Sequence, residues 1–371
     1  MRGASVISAC ANPLPRPPAA DRVLIVRLGA IGDVVRTLPA VSALRAAYAG
    51  AHLAWLVEPA SQGAVAGQPW VDEVLVFPRG EIESLARRGR GIAALRVLWS
   101  FARTLRRRRF DLVLDFHGIA KSAALALASG APQRLGFAAP HAREGAWLVA
   151  TARARLSASK LSRFERNLAL VEFLVGAARA DARPWRVDDA SRTRMACALG
   201  DVAAPIALQP GTSPGTSHKR WPSERYAELA RRLRDATGAA CIVLHGPTPG
   251  ERALAESIAA ASDGAARIAP VTASLGELAA LLERTRLYVG SDTGPMHVAS
   301  LVGTPVVQIL GPTDPVENAP WSQTPSRSVR TPVACSPCRR GCAAATCMQR
   351  VGVDAVFAAA SALLAAHPRR C

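Results

Sequence analysis

Apolar residues along this chain fall in short unbroken runs separated by stretches of mixed character. The run Val23-Leu24-Ile25-Val26 ends at Gly29-Ala30-Ile31-Gly32-Asp33, after which Leu38, Val41 and Leu44 recur at helical spacing. This predicts a strand, a glycine turn and a helix. The same alternation returns at 53–57, 74–77 and 111–115. A second set runs through 206–208, 241–244, 287–289 and 306–310, with amphipathic segments such as 223–236 and 275–285 between them. Continuous apolar strands alternating with helices predict parallel sheets covered on both faces, hence two Rossmann-like α/β halves. A polar, Arg- and Asp-rich stretch at 181–204 reads as the linker, and no fixed-period repeat points to a solenoid or propeller.

A length of 371 residues suits two such domains. Composition adds a strong positive balance, with Lys+Arg 46 against Asp+Glu 28 and a formal charge of +18. All but three of these cations are arginine; the lysines stand at 121, 160 and 219. An ammonium is compact and rotatable where a guanidinium is planar and forked, so each lysine is a candidate for a specific contact. No apolar run is long enough to span a bilayer. Residues 1–20 contain Ile7-Ser8-Ala9-Cys10, superficially a lipoprotein cleavage site, but the apolar stretch before it is too short for a signal, and a disordered Pro-rich leader is expected. In 91–110, Leu95, Val97, Leu98, Trp99, Phe101 and Leu105 are interleaved with Arg96, Arg103 and Arg106 through Arg109. A basic amphipathic helix there suits an anionic membrane surface or a phosphorylated lipid, and reads equally as a solvated arginine face on a core helix. Nucleic acid is disfavoured, since aromatics are only 5% of the chain.

Three loops carry candidate chemistry. Gly29–Asp33 places backbone amides and a carboxylate where a strand feeds a helix, although a helix-capping Asp would look the same. The segment Gln209–Pro222 packs Gly211, Thr212, Ser213, Gly215, Thr216 and Lys219 into one loop after a strand; it can cradle a diphosphate but lacks the Walker arrangement of Lys directly after Gly. Ser291-Asp292-Thr293-Gly294-Pro295-Met296-His297 again follows a strand and opens a helix, whose N-terminus attracts anions. Gly311-Pro312-Thr313-Asp314-Pro315 closes the next strand. No Asp-x-Asp pair occurs, which disfavours metal-dependent sugar-nucleotide chemistry. Cys335, Cys338, Cys342 and Cys347 have ligand-like spacing for zinc or an iron–sulfur cluster, and read equally as reduced structural thiols.

Together these residues resemble glycosyltransferase family 9, the lipopolysaccharide heptosyltransferases, over nearly all of 21–365. The likeness rests on 23–40 with Gly32-Asp33; on Asp115-Phe116-His117-Gly118-Ile119-Ala120-Lys121-Ser122-Ala123-Ala124; on Arg134-x-Gly136, Arg143-Glu144, Lys160 and Glu165-Arg166; and on Lys219-Arg220-Trp221-Pro222, Asp292-Thr293-Gly294-x-x-His297 and Gly311–Pro315. The central element is most like heptosyltransferase I, whereas the cysteine cluster is more like other branches. The resemblance implies a GT-B architecture of two facing Rossmann-like domains: an acceptor domain over 21–190, a nucleotide-sugar domain over 191–355, and a C-terminal helix, 356–371, packing back on the first.

It further implies inverting transfer of heptose from ADP-L-glycero-D-manno-heptose to Kdo-lipid A, without a cofactor or metal, by a peripheral protein at the cytoplasmic face of the inner membrane. Asp33 becomes the general base and Lys219 the cation facing the departing diphosphate. Thr212, Ser213, Glu251, Asp292, Thr293, Gly294 and His297 join Lys219 around the donor, while Gly32, Lys121, Arg134 and Arg143 contact the acceptor. The alternatives within the family are a later-step heptosyltransferase or a transferase of another sugar. Outside it stands a non-catalytic protein that binds anionic lipid on the same scaffold.

Overall fold

The computed structural model describes residues 9–213, 215–338 and 341–368. The chain divides into two compact units, Met1–Pro184 and Trp185–Cys371, a few residues before the expected boundary.

The first unit is built on strands β1 (Arg22–Val26), β2 (His52–Val57), β3 (Glu73–Val76), β4 (Leu112–Asp115), β5 (Gln133–Phe137) and β6 (Ala152–Ala154). They form one parallel sheet in the order β3-β2-β1-β4-β5-β6. Val26 pairs with Leu56 on one side and Asp115 on the other, so the loops after β1 and β4 emerge side by side. Leu24, Val26, Leu56, Leu105, Phe110 and Val113 pack one face of this sheet at full or nearly full burial.

The second unit repeats the plan with β7 (Ile206–Gln209), β8 (Cys241–Val243), β9 (Ala266–Ile268), β10 (Leu287–Ser291), β11 (Val306–Leu310) and β12 (Ser326–Arg330), in the order β12-β11-β10-β7-β8-β9. Gly290 of β10 faces Gln209 of β7, which sets the loops after those two strands beside each other.

Four strands escaped the hydrophobic pattern: β5, β6, β9 and β12. Each is short, carries an arginine and lies at or next to a sheet edge, so none needs an unbroken apolar run.

Two further expectations are corrected. The stretch read as a linker contains the helix Asp189–Leu199, started by the Asp188 side chain accepting from the Ser191 amide and anchored by buried Met195 and Leu199. Within the expected leader, residues 9–20 are attached to the first unit. Cys10 donates its amide to Glu172, Ala11 bonds the Arg155 carbonyl and Leu14 the Phe173 carbonyl, and Ala9 and Cys10 are buried. Residues 1–8 lie outside the described residues. The C-terminal helix, Val353–Ala366, buries Val353, Val356, Ala360, Leu363 and Leu364 in the core of the second unit. Its alanines let it sit close to β10, β11 and β12, and it completes that layer of the second unit. Residues 369–371 again lie outside the described residues.

Close packing beside the second site makes one glycine obligatory. A Cβ at Gly290 would lie 2.8 Å from the Tyr288 hydroxyl, 2.9 Å from Gln209 Cβ and 3.1 Å from the Gln209 carbonyl oxygen, and the last is backbone that cannot yield. Gly290→Ala should therefore destabilise the protein by about 1–3 kcal/mol in urea unfolding, the usual cost of overpacking a filled interior. Wild-type stability in that variant would mean the strand pair is looser than it stands here.

Candidate functional sites at the two sheet centres

In each unit the strand order reverses beside the unit's first strand, and loops at the carboxyl ends of strands flanking such a point form a ligand crevice. In the first unit β1 runs into the short helix Ile31–Val35, which carries Asp33 in its first turn. Three guanidinium groups converge on that carboxylate. Arg27 lies 2.7 Å from Oδ2, and Arg36 and Arg163 each lie 3.0 Å from Oδ1. Arg27 is the residue after β1 and is buried, with Nη1 donating to the Phe116 carbonyl at 2.7 Å. Arg36 follows Asp33 by one helical step.

Arg163 arrives from the helix Arg163–Val175, which opens on a reciprocal capping pair between Ser162 and Glu165. One turn further on, buried Asn167 donates to the Arg36 carbonyl at 3.1 Å and to Thr37 Oγ1 at 3.0 Å. That clasp fixes the register of the two helices and so sets Arg163 over Asp33.

Burial alone would raise the pKa of Asp33, but Arg27, Arg36 and Arg163 outweigh it and hold the carboxyl well below the usual carboxylate range. Burial also lowers Arg166, with Arg27 and Arg163 adding repulsion, to about 10, which still leaves it charged at neutral pH. Four arginines around one ionised carboxylate make a site with surplus positive charge.

The loop after β4 completes this crevice. Asp115 is buried and its pKa is raised by that burial, partly offset by hydrogen bonds from the Gly118 amide, the Ser122 hydroxyl and the His117 amide. His117 is driven down to about 4, by burial first and then by Arg27 and Lys121, so its ring is neutral and Nδ1 accepts from the Leu28 amide at 3.3 Å.

The expected acceptor residues do different things. Gly32 lends its carbonyl to Arg36 Nε at 3.1 Å. Lys121 is paired with Glu58, which also holds Arg79 at 3.0 Å. Arg134 donates to the Val149 carbonyl at 3.0 Å and the Ala131 carbonyl at 2.6 Å, tying β5 to its surroundings. Arg143 is exposed. Arg27, Arg36 and Arg163 were absent from the residues expected in the site. The first two were findable, since they bracket Asp33 at the strand end and at the i, i+3 helical position, but nothing local links Asp33 to residue 163.

In the second unit the loops after β7 and β10 meet. Lys219 Nζ lies 3.1 Å from Asp292 Oδ2, and His297 Nε2 lies 3.4 Å from Asp292 Oδ1. Asp292 and His297 are buried while Lys219 is partly exposed, so the carboxylate positions the ammonium from beneath. The following helix, Gly294–Val302, has Thr293 as its N-cap but no side-chain cap hydrogen bond, which leaves first-turn amides for another acceptor. Thr293 Oγ1 instead approaches the buried Tyr288 hydroxyl at 3.4 Å.

Thr212 is buried, donates to the Thr216 carbonyl at 3.2 Å and accepts from Arg220 Nε at 3.2 Å; Ser213 is exposed and its carbonyl receives Thr216. The Glu251 carboxylate lies over Gly246 and Gly211, so close that a Cβ on Gly246 would meet it at 2.5 Å. It also closes a cap with Thr248, whose hydroxyl donates to Oε2 at 2.7 Å. The expected donor residues are thus gathered at the carboxyl ends of β7, β8 and β10.

The loop of Cys335, Cys338, Cys342 and Cys347 packs on Gly311 and Pro312, with the Cys338 amide bonding the Pro312 carbonyl at 2.7 Å. These four thiols are free, and among the described residues no three His, Cys, Asp or Glu side chains are gathered as a metal set.

Comparison with known proteins agrees with this layout. The model of glycosyltransferase family 9 (heptosyltransferase) matches residues 98–348. Lipopolysaccharide core heptosyltransferase OpsX of Haemophilus influenzae is 25% identical over 82% of this chain and 83% of its own. Lipopolysaccharide heptosyltransferase 1 of Pseudomonas aeruginosa is 29% identical over 79% of each. Among solved structures, E. coli heptosyltransferase WaaC with ADP has a TM-score of 0.72 at 23% identity, covering 92% of this chain and 99% of that one. The two six-stranded parallel sheets are those of the GT-B fold.

The arginine cluster makes stability depend on pH in a fixed direction. Because the folded pKa of Asp33 is depressed, its ionisation contributes fully above about pH 4, where the unfolded carboxyl is already charged, and the contribution is lost as pH falls through the folded value. In urea unfolding from about pH 7 to about pH 3, the stability gap between wild type and Asp33→Asn should be widest near neutrality and close on acidification. A gap that grows towards acid would contradict an arginine-held carboxylate.

Proposed function

The chain belongs to glycosyltransferase family 9, and on that premise we propose that it transfers L-glycero-D-manno-heptose from ADP-heptose to the Kdo-lipid A inner core of lipopolysaccharide, with inversion and without a metal. The observation that carries this reading is the Lys219–Asp292–His297 arrangement beside the uncapped helix start at Thr293, a cationic, amide-rich site at the reversal point of the second sheet. Support also comes from relatives named as lipopolysaccharide heptosyltransferases and from the ADP in the similar structure.

In this mechanism an acceptor hydroxyl oxygen attacks the anomeric carbon of the heptose on the face opposite ADP. The bond from that carbon to the β-phosphate oxygen breaks as the new glycosidic bond forms. The hydroxyl proton passes to Asp33, and ADP leaves with the bonding pair. Its growing charge is met by Lys219 Nζ and the amides at the start of Gly294–Val302, with Thr212 and Ser213 as further donors. His297 orients Asp292, and Glu251 serves the nucleotide ribose.

Asp33 held by three guanidiniums is a weak base. The carboxylates and phosphates of the inner-core acceptor compete for Arg36 and Arg163, and each guanidinium drawn away raises the affinity of Asp33 for a proton when one has to be taken. Lys121 and the exposed Arg143 are further cations for the same polyanionic acceptor. Because the acceptor is a lipid, the protein works as a peripheral enzyme at the cytoplasmic face of the inner membrane; no helix among the described residues is long and apolar enough to cross it.

The test is ADP release from ADP-heptose by the purified protein, with EDTA present, on Kdo-lipid A and separately on a heptosylated core. Turnover on Kdo-lipid A is expected. Turnover on the heptosylated core alone would assign a later heptose, and dependence on added metal would remove the metal-free step. Asp33→Ala should lower kcat about 10²- to 10⁴-fold, the range for a lost general base. Lys219→Ala should lower it about 10²- to 10³-fold, as for a lost donor to a developing anion. Full activity in either variant would withdraw that residue's role.

A further inference from the structure

The helix Gly91–Arg107 does not present its apolar side chains only to the core. Its inner face is Ala94, Phe101 and Leu105, with Phe101 edge-on to Phe77 at 5.4 Å between ring centroids. Its outer face carries Ile92, Leu95 and Trp99 at 72%, 66% and 62% exposure, values far above those of an ordinary apolar helix position. At 100° per residue these three, with Arg96 and Arg103, fall within about 100° of arc, so they form one stripe along the helix.

Arg103 lies over the Trp99 ring, 4.5 Å from its centroid. Among the described residues no carboxylate pairs with Arg96 or Arg103. No Asp or Glu occurs between Glu83 and Asp111, a stretch that contains nine arginines.

We propose that this stripe is the surface by which the protein docks on an anionic lipid bilayer. The proposal deepens the membrane location suggested above and rests on that reading. The chemistry selects the occupant. Ile92 and Leu95 gain by leaving water for the acyl boundary, Trp99 suits the headgroup level with its indole, and the arginines reach lipid phosphates while their stems lie along the apolar surface. Charge complementarity with an anionic leaflet is supplied by an arginine tract without carboxylates. A nucleic acid would meet the same cations, but it has no use for two exposed aliphatic side chains, and the face of the single aromatic in the stripe is already covered by Arg103.

The experiment is sedimentation of the full chain with vesicles of phosphatidylcholine containing about one-third phosphatidylglycerol, against phosphatidylcholine alone, with a double-stranded oligonucleotide as the competing polyanion. The wild type should partition at least about tenfold more onto the anionic vesicles. Leu95→Ser/Trp99→Ser and Arg96→Gln/Arg103→Gln should each reduce that partition at least about fivefold, with thermal unfolding unchanged because all four side chains are exposed.

A second readout needs no destabilising change. Trp fluorescence of the wild type on vesicles of lipids brominated near the headgroup end should be quenched, and Trp99→Phe should lose part of that quenching. Equal binding by wild type and both double variants, no preference for anionic vesicles, or arginine variants that lose only oligonucleotide binding would overturn the proposal. Vesicle binding needs neither donor nor turnover, so a chain that binds vesicles but releases no ADP would sink the proposed reaction and leave the docking surface standing. Detergent-dispersed acceptor turned over by a chain that ignores vesicles would do the reverse.

Discussion

Both units are organised by one constraint: the first strand of each lies inside a parallel sheet, with its neighbours laid down on opposite sides. At β1 the next strand goes to one side and β4 to the other; at β7 the same happens with β8 and β10. Connections leaving such a strand and its late-arriving neighbour diverge, and the gap between them is lined by backbone amides and helix starts. Asp33 and His117 stand at one such gap, Lys219 and Asp292 at the other. The strands there are buried and mostly apolar, with their few polar residues at or near strand ends, so the polar residues that follow are fixed by a rigid base although they belong to loops and helix starts. Gly290 belongs to the same constraint, because only a residue without a side chain lets β10 approach Gln209 closely enough to bring the second pair of loops together.

The first site then depends on how charge is balanced around Asp33. A single carboxylate offers two oxygens, and both are taken by arginines. Burying Arg27 is costly and is offset by that carboxylate and by the Phe116 carbonyl. Arg36 is nearly as buried as Arg27, Arg163 is the more exposed of the three, and Arg166 adds charge with no ion-pair partner among the described residues. The result is a crevice that holds its own carboxylate deprotonated and still favours a second anion. In the reaction proposed above, an acceptor rich in carboxylate and phosphate would link binding to base strength through the shared guanidiniums.

Much of this could be read from the chain alone. The eight strands with unbroken apolar runs are all present, and they include β1, β4, β7 and β10, which position the sites. Asp33, Lys219 and Asp292 stand out in the sequence because each follows such a strand within a glycine-containing turn, whereas His297, inside the helix Gly294–Val302, enters only through the family resemblance. What could not be read has identifiable causes. The edge strands β6, β9 and β12 are short and arginine-bearing, so period and hydropathy fail together. Arg163 reaches Asp33 only through the clasp of Asn167 on Arg36 and Thr37, a contact between helices 130 residues apart in sequence. The amphipathic character of the helix Gly91–Arg107 is legible in the sequence, but which apolar residues face inward depends on its docking beside Phe77, and that docking sends Ile92, Leu95 and Trp99 outward.

The scarcity of lysine makes the settings of Lys121 and Lys219 informative. In a chain that uses arginine for nearly every surface and structural cation, Lys121 and Lys219 are both held by a single carboxylate, Glu58 and Asp292 respectively. A guanidinium there would present a fixed plane, as Arg27 does when it divides its two terminal nitrogens between Asp33 and the Phe116 carbonyl. An ammonium gives one of its three protons to the carboxylate and keeps two that can turn towards a ligand. At position 219 the carboxylate is buried deeper than the ammonium and is itself contacted by His297, so the pair has a fixed inner end and an adaptable outer one. A charge so placed before a ligand arrives needs little rearrangement when negative charge develops beside it, the condition under which, in the reaction proposed above, it would assist the departing diphosphate.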